Sequence, residues 1–383
     1  MLMRATVLLL ACDVLLLCLA DWPTDGRNHS RAGSATAPLP GGGIPSALGW
    51  YQIPNTQMAP VCPTTLSGCQ NVIAAWSGGI ADIKRNRLIF WGGGHSDYAG
   101  NEVYALDLNA LKMLRLNNPS IPFGFNTETN PDGLPSSRHT YGGLSYVPSA
   151  DKMFAHGGGL YGDGSATSVA TWTFDPGSLA WTPKDPTNDY QIVRECCNYQ
   201  SFTAYDPGTD AVYMVEDGLQ FTKYVSSTNS YTLLQNVSGM NCCVTAVVDE
   251  GRHLFLVFGA GDAGGQVWQA DISPGLAPTL IEISSRVTGC GAIQNASYPG
   301  LAYDPVQKLI VGWVGGDTVY LYNPGTKSCT TKTFPGGPGA AQPNGTFGRF
   351  RYFPALNVFA VVNGWKQNAF TLRLTSGGGP PAP

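Results

Sequence analysis

The sequence predicts an all-β chain folded as a β-propeller of six blades. Three observations predict it. A strand–turn–strand–glycine unit recurs six times, the composition is poor in charge and rich in turn residues, and an aromatic strand precedes the first unit where the last unit lacks one.

The composition suits many short strands. Charged residues make up 13% of the 383, about half the usual share, while Gly stands at 48, Pro at 28 and hydrophobic content at 43%. Disorder would need more charge and fewer aromatics. A net charge of −4 without any Lys/Arg run argues against a nucleic-acid partner.

In the first unit, Val72 to Trp76 reads as strand one, Lys84-Arg85-Asn86 as the turn, and residues 87–91 as strand two running into Gly92-Gly93-Gly94, with 102–108 as strand three. The second begins at residues 139–144, continues through 153–156 into Gly157-Gly158-Gly159, and has Thr171-Trp172-Thr173-Phe174 next. Later units pair 200–205 with 212–215, 244–248 with 254–258, 301–303 with 309–313, and 350–353 with 358–362. The spacing, roughly 45 to 65 residues, fits four-stranded blades, and six is the expected number, with a seventh inside the longer first or second unit as the variant. The last unit has a third strand at 369–374 and no fourth. Gly49-Trp50-Tyr51-Gln52-Ile53 is expected to supply it and remove a free edge.

The glycine cluster after strand two, followed by an aromatic-bearing strand, resembles the kelch repeat over about residues 48–375. That resemblance implies the propeller and leaves function open, because kelch propellers include oxidases, lyases, isomerases and binding modules.

The first twenty residues read as a signal peptide. Arg4 precedes an apolar stretch over 5–17, and Cys18-Leu19-Ala20 offers a small-residue cleavage site. The stretch is short for a bilayer and Asp13 interrupts it, so export is expected rather than anchoring. Residues 21–47 read as a flexible leader, 48–375 as the propeller and 376–383 as a tail. Eight cysteines remain after the signal: Cys62, Cys69, Cys196, Cys197, Cys242, Cys243, Cys290 and Cys329. In an exported chain they read first as disulfides. Cys62 and Cys69 suit a small loop. Cys196-Cys197 and Cys242-Cys243 begin strand one of successive blades, where inter-blade disulfides, a vicinal disulfide and, last, a thiolate metal site are the readings.

In a propeller, the links from strand two to three and from strand four to the next strand one open on the same face. That face is expected to gather His95, Tyr98, Arg138, His139 and Tyr161 as catalytic candidates. Asp97, Asn101, Arg194, Arg349, Arg351 and Trp365 are the expected substrate-binding residues. His156, inside strand two, reads as structural.

Kelch-like propellers that cleave ulvan and related uronate polymers use His, Tyr and Arg on the axial face, and this chain is somewhat similar to them there. The resemblance implies a secreted polysaccharide lyase acting on a glycan. Arginine would neutralise the uronate carboxylate, and His and Tyr would move the C5 proton. The spacing of that family's catalytic set does not match residue by residue, so these roles are physical assignments. A glycan- or protein-binding module without catalysis is the alternative. A copper-radical oxidase is disfavoured, since the sequence has no Tyr-His dipeptide. No cofactor and no resident metal are expected.

Overall fold

The alternating apolar runs of this sequence become strands, and the strands assemble into six antiparallel sheets of four. The computed structural model describes residues 43–188, 200–216, 219–261 and 264–379. The innermost strand of each blade is Gly78–Asp82, Leu144–Val147, Ser201–Asp206, Val244–Asp249, Gly300–Asp304 and Phe350–Phe353 in turn. These six neighbour one another in sequence order, and the sixth returns to the first. The chain is a six-bladed propeller.

The ring closes as the sequence led one to expect. Blade 6 holds Phe350–Phe353, Val358–Val361 and Phe370–Arg373, and its outer strand is Gly49–Gln52 from the other end of the chain. Trp50 stands opposite Leu372 and Tyr51 opposite Thr371. Part of the expected leader is packed, with Ile44 against the blade 6–blade 1 core and the Pro45 carbonyl accepting from Arg373 Nε at 3.1 Å.

Blades are held together by aromatic side chains packed between neighbouring sheets. Trp91 of blade 1 meets Trp181 of blade 2 at 4.5 Å between ring centroids, and Trp172 lies beside it. Trp313, Phe350 and Phe359 do the same between blades 5 and 6. Each such buried ring contributes about 2–3 kcal/mol.

A repeated device shapes the turn after the inner strand. The hydroxyls of Tyr146, Tyr205 and Tyr352 donate to Asp151, Asp210 and Asn357, each five residues on, at 2.8, 2.8 and 2.9 Å. Those acceptors have φ of 50°, 47° and 49°, the left-handed conformation that Asp and Asn tolerate best.

Two expected strands are corrected. Residues 72–76 are not strand one of blade 1, because Asn71–Ala74 forms one helical turn that buries Val72 and Ile73. Periodicity cannot distinguish a helix from a strand in so short an apolar run. Residues 139–144 likewise divide. Arg138–His139 pairs with Gly159–Leu160 as a separate two-stranded ladder, and the inner strand starts only at Leu144.

Cys62–Cys69 is a disulfide, with Cα atoms 6.0 Å apart, and Cys290–Cys329 is a second, at 5.0 Å. Cys196 and Cys197 lie outside the described residues. Among the described residues no helix is long and apolar enough to cross a membrane.

Candidate functional site

The segments that lead into the inner strands carry a ring of strained residues. Trp76, Tyr141, Cys243, Tyr298 and Phe347 have φ of 44°, 45°, 71°, 51° and 47°. Bulky residues rarely adopt this conformation, and each costs of order 1–3 kcal/mol unless the surroundings enforce it. Here neighbouring backbones enforce it. Tyr141 N donates to the Trp76 carbonyl at 2.7 Å, and Tyr298 N to the Cys243 carbonyl at 2.8 Å. The side chains of Tyr141, Tyr298 and Phe347 form one buried aromatic cluster, with Trp76 and Cys243 packed against it.

His139 sits beside this cluster and links it to solvent. Its Nε2 lies 2.7 Å from Asp97 Oδ2 and its Nδ1 lies 3.4 Å from the Tyr141 hydroxyl. A carboxylate on Nε2 holds the proton there, which leaves the Nδ1 lone pair facing the phenol. The result is a chain Asp97–His139–Tyr141, with Trp76 and His95 each 5.0 Å from the His139 ring. The His139 side chain is 2% exposed and that of Asp97 33%.

Glycine makes this approach possible. A Cβ on Gly94 would lie 2.2 Å from Arg138 Cα, so the blade 1 loop can lie against the Arg138–His139 strand only without a side chain there. His95 follows directly, with φ 54°, and its amide donates to the Gly159 carbonyl at 3.1 Å. Burial holds the His95 imidazole below its usual pKa. Proximity to His139 adds to that effect, while Asp97 and Asp163 oppose it.

The other expected residues divide. Tyr161 is half-buried and meets Phe123 and Phe125 edge-on, at 5.5 and 6.0 Å. Tyr98 does not join the site. It is 2% exposed and its hydroxyl donates to Glu102 Oε1 at 2.7 Å, with burial and that carboxylate raising its pKa. Asn101 is fully buried and pins the following loop through Ser120 and the Pro135 carbonyl.

The arginines are committed elsewhere. Arg138, 2% exposed, binds Glu128 Oε1 at 2.8 Å and Ser168 Oγ at 2.7 Å. Arg349 is fully buried and donates to the carbonyls of Ser77, Val362 and Gly345. Arg351 lines the central channel rather than the mouth. Trp365 packs on the blade 6–blade 1 core under Lys366, whose Nζ is 4.7 Å from the ring centroid. Arg194 lies outside the described residues. His156 is buried between Thr171 Oγ1, at 2.9 Å, and Glu216, at 3.4 Å, in keeping with a structural role. Cys242 and Cys243 hold their Sγ atoms 2.7 Å apart, with Cys243 beside Tyr298.

The sequence reading did not single out Trp76 or Tyr141. One signal was available. An aromatic residue followed within two positions by glycine stands before four inner strands: Trp76-Ser77-Gly78, Tyr141-Gly142, Tyr298-Pro299-Gly300 and Phe347-Gly348.

No protein-family model and no curated protein matches the sequence. In three dimensions the chain is similar to the crystal structure of a structural genomics protein of unknown function from Bacteroides thetaiotaomicron VPI-5482. The identity is 13% and the TM-score 0.52, over 85% of this chain and 76% of that one. At that identity the likeness concerns the fold: this chain is a six-bladed β-propeller.

Proposed function

We propose that the chain is an exported, carbohydrate-active propeller whose axial mouth cleaves a uronate-containing glycan by β-elimination. The observation that carries this reading is the Asp97–His139–Tyr141 chain, at 2.7 and 3.4 Å. Tyr141 is the proton-transferring group in this mechanism. As its phenol releases a proton to His139 Nδ1, the imidazolium is stabilised by Asp97, and the phenolate takes the sugar C5 proton. The glycosidic oxygen at C4 then leaves with the electron pair, and a returning proton completes the elimination. Apo hydrogen bonds of this kind are often long and tighten with substrate. Trp76, half-buried beside His139, supplies a ring face for a sugar. None of the described Arg138, Arg349 or Arg351 is assigned the carboxylate-neutralising role. Export is supported by the signal-like first twenty residues and by the two disulfides.

Incubating the purified protein with a set of uronate polymers and following ultraviolet absorbance for unsaturated ends tests the reading. Absorbance should rise with the native chain and stay flat with Tyr141→Phe. Flat traces on every polymer overturn it.

The alternative is a binding module without turnover. It is favoured by one observation, the burial of Tyr141 to 7% exposure. Glycan binding that survives Tyr141→Phe, with no turnover by either protein, establishes this second reading.

A further inference from the structure

The propeller axis holds a cavity of about 260 Å³, to which each blade contributes three residues. Its lining includes Pro148, Pro207, Pro305 and Pro354, which follow the inner strands, so it opens at the end opposite the His139 mouth. The six contributions occupy equivalent positions. At the inner level blades 1 to 5 place Ile80, Ser145, Ala204, Val247 and Ala302, all small or apolar, and blade 6 places Arg351. At the outer level Glu250 alone carries charge.

Arg351 therefore interrupts a ring of small or apolar side chains with a guanidinium. Its Nε donates to the Gly79 carbonyl at 3.4 Å and its Nη1 to the Leu301 carbonyl at 3.2 Å. A guanidinium has five N–H donors. No carboxylate of the described residues pairs with Arg351, whereas Arg138 has Glu128 and Arg85 has Asp151. Burial lowers the Arg351 pKa to about 10, which still leaves it cationic at neutral pH. A desolvated cation without a counter-ion is costly, and an anion that completes its hydrogen bonds removes that cost.

We propose that this axial cavity binds a small organic carboxylate, its carboxylate on Arg351 and its apolar body against the inner ring of Ile80, Ala204, Val247 and Ala302. The apolar lining is the reason to favour an organic acid over inorganic phosphate, whose remaining oxygens would face hydrocarbon. The site is distinct from the mouth and does not depend on the lyase reading.

Calorimetric titration of the full chain with benzoate, and separately with inorganic phosphate at matched ionic strength, tests this. Benzoate should bind saturably and raise the melting temperature, with phosphate at least tenfold weaker. Arg351→Met should weaken benzoate at least tenfold while the protein remains folded, because Arg351 is half-buried and no carboxylate of the described residues would be left without its partner. Ala302→Leu, which narrows the inner ring and leaves Arg351 in place, should weaken benzoate as well. It serves as the second variant if Arg351→Met does not fold. Absence of saturable benzoate binding overturns the proposal, as does equal binding by Arg351→Met or by Ala302→Leu. Phosphate binding as tightly as benzoate overturns the carboxylate assignment.

Discussion

His139 and Asp97 stand 42 residues apart in the chain and on different blades, yet Nε2 and Oδ2 are 2.7 Å from each other. Asp97 comes from the link between the second and third strands of blade 1, and His139 from the segment leading into blade 2. The contact orients the imidazole so that its other nitrogen faces Tyr141. Under the proposed mechanism Asp97→Asn should lower turnover by about 10²–10⁴-fold, since the imidazolium loses its stabilising charge. Turnover on the responsive polymer, with circular dichroism as the folding control, checks this. Unchanged turnover would remove Asp97 from the mechanism.

Gly94→Ala should destabilise the protein by about 1–3 kcal/mol, the usual range for forcing a group into a packed interior. The added Cβ meets Arg138 Cα at 2.2 Å, so the Arg138–His139 strand has to move away from the Asp97 loop. Urea denaturation measures the loss. A native-like midpoint would show that the loop relaxes freely.

Deleting the chain through Gln52 should leave Phe370–Arg373 as an unpaired edge in blade 6. Exposed apolar edges template association, so the truncated protein should aggregate or lose soluble yield. Size-exclusion chromatography decides. A soluble monomer with the native melting temperature would show that closure contributes little.

The two disulfides should differ in value. Cys290–Cys329 closes a separation of 39 residues and Cys62–Cys69 one of 7. The chain-entropy relation gives about 4 kcal/mol for the first and about 2–3 kcal/mol for the second. Thermal melts of the paired serine variants should rank them in that order, and the reverse order would point to strain or residual unfolded structure.

Glu250 should make stability fall as pH rises. Burial, followed by the charges of Asp206 and Asp249, raises its pKa from 4.5 to about 7, so the folded state holds the proton more firmly than the unfolded chain. Its contribution is complete below about pH 4.5 and is lost as pH climbs through 7. The shift corresponds to at most about 3 kcal/mol. Glu250→Gln should flatten the stability profile between pH 5 and 8, measured by denaturant midpoints. An unchanged slope would assign the dependence to other groups.

The repeat was legible because blade strands need apolar residues at alternate positions and glycines after strand two, and both are local features. The closing strand was legible for the same reason. Val72 to Trp76 was misread because five apolar residues in a row satisfy one buried helical turn as well as a strand. Tyr98 looked like a site residue because it follows His95 and Asp97, but its ring turns inward to Glu102 and its neighbours in the loop do not.

By itself the sequence determined the six-bladed ring and its closure, since local patterning dictates strands, turns and their order. Only the tertiary structure decided which side chains meet. It joined His139 to Asp97 and Tyr141, committed Arg138 and Arg349 to buried acceptors, and turned Arg351 into an axial cavity. The physical reason is that burial and pairing are properties of neighbours from other blades, and no single segment carries the identity of its neighbours.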